Sequence, residues 1–369
     1  MRRSSVFIAF LLTVAPAAAK PSIVTMEVSN GKLAEAVNAA VLAEASTQFG
    51  GAVMVEQNGK LVLSAGYGYA NREQKIPFRS TTIAQIGSIS KSFTAAAVAD
   101  LEAQGRIDPN AKISLYLKEL NGKAAGDVTL QELLTHTGGY PEYCGDDFDR
   151  SSSAKMLSDC LAPLQTKPGS YAYSNAGYSA LALVVERTSG MSLEAYLKSR
   201  ITEPLGMHDT GYLFAATPPG RLASGYLKEA NQGVISDRIT ALGGDYWNLK
   251  GNGGVQSTCV DMMKWGHAWF GPNPTLPAMA TKLANPKTWV PTDDANIFYS
   301  YGLNVVTRAD GSIQRVSHAG SDGVFLSLIR WYPAEKILIY FVGNSGEDDV
   351  KQAMQAALAA VKTAAPLRD

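Results

Sequence analysis

Ser88 and Lys91 lie three positions apart in the stretch QIGSISKSFTAAAVA and form the first candidate catalytic pair. On a helix, residues three apart share a face, so the two side chains would be neighbours. A serine hydroxyl becomes a good nucleophile when a base takes its proton, and a lysine can be that base if burial lowers its pKa. The pair predicts an acyl-transfer nucleophile. Taken alone, the same residues are equally consistent with a helix N-cap and a solvated lysine.

The S-x-x-K spacing recurs twice, at residues 29–32 and 152–155. The first copy overlaps an Asn-Gly turn signal, and the second lies in a serine-rich polar run. Neither copy is a comparable candidate for a nucleophile.

A tyrosine and an asparagine two residues apart form the second candidate set, Tyr173 and Asn175, in a loop that leads into a helical pattern. A tyrosine hydroxyl that reaches both a lysine and a serine can relay the serine proton and later protonate the leaving group. An asparagine can hold the lysine and a substrate amide. A second Y-x-N, at Tyr246 and Asn248, has glycine-rich neighbours and leads into no buried helix, so the first copy is preferred.

The third candidate set, His318 with Gly320 and Ser321, ends a predicted strand. Backbone N–H groups there would complete an oxyanion hole with the N–H of Ser88. A structural interpretation of His318, as a histidine that fills a hydrogen-bonding slot at a strand end, stays open. A similar triplet at His136 follows a helix instead, and we interpret it as a structural loop residue.

Hydrophobic periodicity predicts the helices and strands on which these candidate residues lie. Apolar residues recur at helical spacing from Ile89 to Leu101, with Gly105 as a stop, so Ser88 is expected in the first turn of a buried helix. The partial positive charge of that helix end would favour an oxyanion. The other predicted helices span residues 30–49, a short segment opened by a capping box at 129–132, 175–188, 192–201, one opened by 258–261, and 348–361. The predicted strands span residues 52–56, 61–65, 303–306, 314–318, 324–331 and 337–342.

Strand signals therefore occupy both ends of the chain, and helix signals the middle. This order favours an α/β (α+β) sandwich, an antiparallel sheet flanked by helices, with an all-helical inserted subdomain. We expect residues 20–105 and 251–369 to form the sheet subdomain and residues 106–250 the helical one. A polar segment at 146–159 is interpreted as a surface lid.

The three motifs, in this order and on these elements, resemble the serine β-lactamase and penicillin-binding-protein family. The most similar branch has Y-x-N as its second motif: class C β-lactamases, D-alanyl-D-alanine carboxypeptidases and related serine esterases. The stretches LLTHTGG (133–139) and GGVQST (253–258) are also similar, and the resemblance spans residues 30–362. It implies the β-lactamase/transpeptidase-like fold.

The resemblance also implies a role for each residue. Ser88 would be the acylated nucleophile, Lys91 its activating partner and Tyr173 the proton shuttle, with either or both of the last two as base. Asn175, His318, Gly320 and Ser321 would bind substrate: Gly320 leaves room along the strand, and Ser321 offers an oxyanion N–H.

One departure concerns the substrate. Family β-lactamases usually have lysine at the position of His318, where a fixed positive charge holds the ligand carboxylate. A histidine with its ordinary pKa of about 6.5 would give a weaker, pH-dependent hold, which puts efficient β-lactam hydrolysis in doubt. Peptidase and esterase members have histidine there.

These features indicate an exported serine hydrolase that cleaves an amide or ester: a D-alanyl peptide or small ester, with β-lactams as weak substrates or inhibitors. The alternative is a binding or sensor protein on the same scaffold that recognises cell-wall fragments or β-lactams without turnover. The sequence does not name the true substrate or define the oligomeric state. Pocket loops at residues 140–160 and 211–247 would set specificity.

Composition and the N-terminus bound the remaining possibilities. Residues 1–19 have the charged start, short apolar run and small-residue end of a cleavable export signal with a cut after Ala19, so we expect a periplasmic or secreted protein without a stable membrane span.

Basic and acidic residues balance at 33 each, without a basic block, so nucleic acid is not an expected partner. With four histidines and no ligand motif, we expect no metal or other cofactor. Cys144 and Cys160 would either pair or remain free thiols.

Overall fold

A computed structural model describes residues 21, 23–214, 217, 220–270 and 274–365. The predicted export signal at 1–19 lies outside these residues. The strands are β1 Val24–Ser29, β2 Gly51–Gln57, β3 Lys60–Tyr67, β4 Tyr69–Asn71, β5 Ile76–Pro77, β6 Ala84–Gln85, β7 Gly225–Leu227, β8 Ala230–Gly233, β9 Gln256–Ser257, β10 Val290–Pro291, β11 Ile297–Ser300, β12 Leu303–Thr307, β13 Ile313–Ser321, β14 Leu326–Tyr332 and β15 Ile337–Gly343. The α-helices are α1 Gly31–Glu44, α2 Ser90–Ala103, α3 Leu130–Leu134, α4 Ser153–Lys155, α5 Asn175–Ser189, α6 Leu193–Leu197, α7 Ile235–Ala241, α8 Cys259–Phe270, α9 Pro277–Ala284 and α10 Glu347–Ala364.

The centre of the fold is a nine-stranded antiparallel sheet with the order β1-β3-β2-β15-β14-β13-β12-β11-β10. Its strands come from both ends of the chain, since β2 pairs with β15 from Gly51↔Gly343 to Gln57↔Ile337. The predicted fold class is confirmed: an antiparallel sheet flanked by helices. The division at residues 105/106 and 250/251 stays a prediction.

Two apolar layers cover the two faces of this sheet. On one face, α1 and α10 pack through residues such as Val37, Val41, Val350 and Val361 against the apolar side chains of the strands. On the other face, α8 and the buried helix α2 join a larger core that continues into the helical part of the chain. The central strands are therefore buried on both faces, and the larger core joins the sheet to the helix that follows Ser88.

Local sequence signals explain several elements. The hairpin of β2 and β3 turns at Asn58 and Gly59, whose positive φ values of 54° and 71° suit a two-residue type I′ turn. The capping box at Thr129 and Glu132 forms with both of its reciprocal hydrogen bonds. Gly190 ends α5 in the left-handed region, as its position after the periodic run predicts.

Other elements differ from the expectation. The first helix ends at Glu44, not near Phe49, because Ala45 turns to extended backbone with ψ of 125°. The predicted helix at 192–201 is α for only Leu193–Leu197 and continues as a wider π turn over Lys198–Thr202. The segment 146–159, interpreted from its polar sequence as a surface lid, contains the helical turn α4 and the start of a π turn over Met156–Leu161.

None of the described helices is both long enough and apolar enough to cross a membrane.

Candidate active site

Ser88 lies where strand β6 turns into the buried helix α2. It belongs to a single 3₁₀ turn, Gly87–Ile89, so the helix proper starts two residues later than Ser88 itself. Gly87 has φ of 51°, and Ser90 holds the turn by donating to the Gly87 carbonyl (2.6 Å) and accepting from the Val255 N–H (3.1 Å). Gly87 can adopt this left-handed conformation, and the resulting sharp turn places the Ser88 hydroxyl at the N-terminal end of the helix.

Lys91 is fully buried directly behind the serine. Its Nζ donates to Ser88 Oγ at 2.9 Å and to the backbone carbonyl of Asn252 at 2.8 Å. Burial lowers the pKa of this amine from 10.5 to about 7, against the opposing effect of the Asp147 and Glu142 carboxylates. At neutral pH a substantial fraction of Lys91 is therefore the free amine, which can accept the Ser88 proton.

Tyr173 approaches the same hydroxyl from the loop before α5. Its phenol hydrogen-bonds Ser88, and its ring centroid lies 4.9 Å from Lys91 Nζ. Burial raises the pKa of Tyr173 far above its ordinary value. The phenol therefore stays protonated at neutral pH, so it is suited to give a proton, and Lys91 is the better base.

Asn175 begins α5 and borders the same site. Its backbone N–H donates to the Glu142 carbonyl at 2.9 Å, and its side chain hydrogen-bonds Tyr143. Asn175 was expected to hold the lysine as well as a substrate amide. The structure gives that contact to the carbonyl of Asn252 instead, and it leaves the Asn175 amide at the cavity wall.

His318 is buried on β13 with its Nε2 3.4 Å from the Tyr299 hydroxyl. Burial, and secondarily Lys91, lowers the pKa of this imidazole to about 3. The expected pH-dependent positive charge near pH 6.5 is therefore wrong for this site, because an enclosed ring beside an amine cannot easily gain a proton. His318 is neutral throughout the physiological range.

His136 lies in the same enclosed environment, as part of an aromatic cluster behind Lys91. Its ring centroid is 4.3 Å from that of Tyr173, 5.1 Å from that of Tyr178 and 4.4 Å from that of Tyr299, and its Nδ1 accepts from the Ser174 N–H at 3.1 Å. Burial holds its pKa well below 6.5. The ring therefore positions the Tyr173 loop, and the cluster supplies the apolar surroundings that lower the lysine pKa.

Gly320 and Ser321 bring β13 against the Ser88 turn. A Cβ on Gly320 would lie 2.0 Å from the Ile86 carbonyl oxygen and 2.7 Å from Ser88 N, and one on Gly87 would lie 2.5 Å from Ser321 N. Gly320 was expected to leave room for the substrate, whereas its tight side faces the Ser88 turn. The absence of a side chain lets the N–H groups of Ser88 and Ser321 approach each other, as an oxyanion hole requires.

A cavity of about 330 Å³ opens above these groups, a volume within the usual range for small-ligand sites. Of the seven predicted site residues, Ser88, Tyr173, Asn175 and Ser321 line it, while Lys91, His318 and Gly320 lie behind its wall. A larger cavity of about 560 Å³ contains none of the seven.

Sequence reasoning missed several residues at this site. Asn252 contributes a backbone carbonyl, which any residue type could supply, although its glycine-flanked position just before 253–258 was a weak signal. Asp147, Asp322 and Glu347 also line the cavity. They come from three separate segments, so no motif joins them.

A disulfide joins Cys144 to Cys160, with their Cα atoms 5.4 Å apart, and settles the alternative that the sequence left open. Cys259 is free and buried. The disulfide closes the segment that carries Asp147 at the cavity, so it restrains one wall of the site. Among the described residues no group of three or more histidine, cysteine or acidic side chains is arranged to hold a metal ion.

A serine hydrogen-bonded to a buried lysine and to a tyrosine, on this fold, indicates a serine hydrolase, and comparison with known proteins gives the family. Residues 38–363 match the Beta-lactamase family, so the chain belongs to that family. Among similar proteins, penicillin-binding protein 4* of Bacillus subtilis is 26% identical over 328 residues, 83% of this chain and 71% of that protein. The B. subtilis putative penicillin-binding protein PbpX is 30% identical over 221 residues, 60% of this chain and 54% of the relative. The chain thus spans only about half the length of PbpX.

Solved structures show the same fold. The penicillin-binding protein from Bacillus halodurans superimposes with a TM-score of 0.71 at 26% identity, over 89% of this chain and 99% of that one. A class C β-lactamase from Rhodobacter sphaeroides superimposes with a TM-score of 0.73 at 20% identity, over 90% and 99% of the two chains. The family and the β-lactamase/transpeptidase-like fold expected from the three motifs are confirmed.

Proposed function

We propose that this chain is an exported serine hydrolase that cleaves an amide or ester through an acyl-enzyme on Ser88. The observation that carries the proposal is the 2.9 Å contact between Ser88 Oγ and a buried Lys91 whose pKa is about 7. A serine with a partly deprotonated lysine at hydrogen-bond distance is an activated nucleophile.

Acylation begins when the Lys91 amine takes the Ser88 proton and Oγ bonds to the substrate carbonyl carbon. The N–H groups of Ser88 and Ser321 stabilise the resulting oxyanion. As the oxyanion collapses, the bond to the leaving group breaks, and the Tyr173 phenol gives its proton to the departing nitrogen or oxygen. Lys91 then returns its proton to Tyr173. Water attacks the ester by the same steps in reverse and releases the acid and free Ser88.

The proposed substrates are D-alanyl peptides or small esters, with β-lactams as weak substrates or inhibitors. A neutral His318 supports placing β-lactams last among these substrates, because no fixed positive charge lies at that position to hold the carboxylate of a β-lactam. Penicillin binding is named for several relatives, and we extend it to this chain as part of the proposal.

Export is proposed on two grounds. Residues 1–19 have the pattern of a cleavable signal, and the Cys144–Cys160 disulfide is of a kind that persists in oxidising compartments.

The test is intact-protein mass spectrometry after incubation with a fluorophosphonate and, separately, with a penicillin, on wild type and Ser88→Ala. We expect one stoichiometric adduct on the wild type alone, mapped to the Ser88 peptide. Labelling by penicillin as well points to the carboxypeptidase side of the family, and labelling by the fluorophosphonate alone points to an esterase.

Steady-state turnover separates an enzyme from the non-turnover alternative. If Ser88 is acylated while no ester, D-peptide or β-lactam is turned over, the hydrolase proposal fails and the chain is a sensor or binding protein. Absence of any adduct in the folded protein would mean that the motifs are only scaffold.

A further inference from the structure

The cavity above Ser88 is lined by acidic side chains. Three carboxylates line it, Asp147 from the disulfide-closed segment, Asp322 from the turn after β13, and Glu347 from the first turn of α10. None of the described residues that line it is a lysine, an arginine or a histidine. A substrate that enters this cavity therefore meets negative charge on its walls.

The hydrogen bonds of two of these carboxylates are defined, and Asp322 keeps an oxygen that the described residues do not use. Glu347 accepts from the Ser321 hydroxyl through Oε2 at 2.7 Å. Asp322 Oδ1 accepts from the N–H groups of Val324 (3.0 Å) and Phe325 (2.6 Å), while Asp322 Oδ2 is buried and has no hydrogen-bond partner among the described residues. A buried carboxylate oxygen without a donor is costly, and a positive charge in the adjoining cavity would offset part of that cost.

Two cations lie close by but outside the cavity lining. Lys91 is already engaged with Ser88 Oγ and the Asn252 carbonyl. The guanidinium of Arg238 lies 3.3 Å from the ring centroid of Phe148 and acts on the pKa of Asp147 and Asp322 only through its charge. Neither cation forms a described ion pair with a cavity carboxylate, so the walls remain net negative.

We propose that the substrate cleaved at Ser88 carries a positively charged amine close to the scissile carbonyl, as an aminoacyl amide or ester does. The inference rests on the proposed function and narrows it. Opposite charges on ligand and wall favour binding, and like charges penalise it, so the same cavity would discriminate against substrates with a carboxylate at that position.

The titration of the carboxylates agrees with this reasoning. Burial raises the pKa of Asp147 to about 6 and raises that of Asp322 as well, which means that both anions lack sufficient partners in the free protein. An ammonium group in the cavity would supply one.

The competing explanation is that these carboxylates serve only the protein. Asp147 would then act on Lys91, whose pKa it raises, and Glu347 would stabilise the N-terminus of α10 together with Asp348 and Asp349. Only the ammonium proposal predicts that neutralising Asp322 or Glu347 weakens the preference for a positively charged substrate.

The experiment uses three chromogenic amides that differ in that charge: D-alanine 4-nitroanilide (ammonium), its N-acetyl derivative (neutral) and its N-succinyl derivative (carboxylate), the last two of which share an N-acyl group. At pH 7.5 we expect kcat/KM for the ammonium compound to exceed that for the neutral one by about tenfold or more, with the carboxylate compound slowest. Equal or inverted rates would overturn the proposal.

The matched variants are Asp322→Asn and Glu347→Gln, each of which keeps the oxygen that accepts the hydrogen bond and removes one charge. We expect each to lower the ratio of kcat/KM for the ammonium over the neutral substrate by about three- to tenfold. Asp348→Asn removes one charge from the same helix turn at an exposed position, and the ratio should not change. A ratio that falls equally in all three variants would indicate general surface charge and refute the site.

Failure of this inference is distinguishable from failure of the proposed function. If the fluorophosphonate labels Ser88 but the charge order is absent, only the inference fails. If no anilide is turned over, protection of Ser88 from the fluorophosphonate by D-alanine amide, compared with N-acetyl-D-alanine amide, reports the charge preference directly. If Ser88 is not labelled at all, the proposed function fails first.

Discussion

The pH dependence of acylation tests the central physical claim about Lys91. The amine must be neutral to take the Ser88 proton, and its pKa of about 7 sets the pH range in which it is. From that value the neutral fraction is about half at pH 7, about a tenth at pH 6 and about a hundredth at pH 5. For a neutral ester such as 4-nitrophenyl acetate, kcat/KM should therefore fall about tenfold per unit below pH 7 and level off above about pH 8.

Two substitutions test whether Lys91 causes this fall in kcat/KM at acid pH, which we call the acid limb. Lys91→Arg keeps the positive charge but cannot act as a base, because arginine does not deprotonate in this range, so we expect a loss of about 10²- to 10⁴-fold at pH 8 and no limb near pH 7. Asp147→Asn removes a carboxylate that raises the pKa of Lys91, so the limb should move to lower pH. Lys112→Arg, an exposed pair partner of Asp127, is the control and should match the wild type.

The assay is the initial rate of ester hydrolysis at constant ionic strength from pH 5 to pH 9, with circular dichroism to establish that each variant is folded at each pH. A kcat/KM that is flat from pH 5 to pH 8 would refute the assignment of Lys91 as the base. So would a Lys91→Arg variant that keeps the wild-type limb, since another group would then be titrating.

Three further predictions follow from the same structure. Tyr173→Phe should lower kcat/KM by about 10²-fold or more for an anilide, whose leaving nitrogen needs a proton, and by less for a 4-nitrophenyl ester. Steady-state rates of the variant and the wild type on the two substrates measure this difference. Cys144→Ser with Cys160→Ser opens a loop with a sequence separation of 16 and should lower the free energy of unfolding by about 3 kcal/mol in urea titration. Gly320→Ala places a Cβ 2.0 Å from a carbonyl oxygen and should reduce acylation at least tenfold, whereas Gly211→Ala, with open space at its Cβ, should retain it.

Much of the sheet could be predicted because its strands carry strong local signals. The hairpin around Asn58 and Gly59 and the buried run Ile337–Gly343 combine turn residues with continuous apolar stretches. Strand β1, Val24–Ser29, gave no such signal because four of its six residues are exposed at the sheet edge. Strand β10 is only two residues long and includes a proline, so pairing with β11, and not its own sequence, makes it a strand.

In the active site, too, some contacts could be predicted from the sequence and others could not. The contact of Ser88 with Lys91 could be predicted because helix geometry alone joins residues three apart. The lysine's second acceptor could not, because a backbone carbonyl such as that of Asn252 leaves no trace in residue type. The neutral state of His318 depends on packing against Tyr299, which lies on another strand, and sequence spacing does not report burial of that kind.

Two features of this site were not predicted from the sequence, the neutral state of His318 and the three carboxylates of the cavity, and both concern charge. A lysine in place of His318 would put a second amine beside Lys91, and its charge would attract substrate carboxylates. Here that position is a neutral ring, while three carboxylates line the cavity. Both changes act in one direction: they remove attraction for an anionic group and add attraction for a cationic one. The removal of one positive neighbour also leaves Lys91 with burial as the main cause of its lowered pKa, so the aromatic enclosure, and not charge repulsion, makes Lys91 a base at neutral pH.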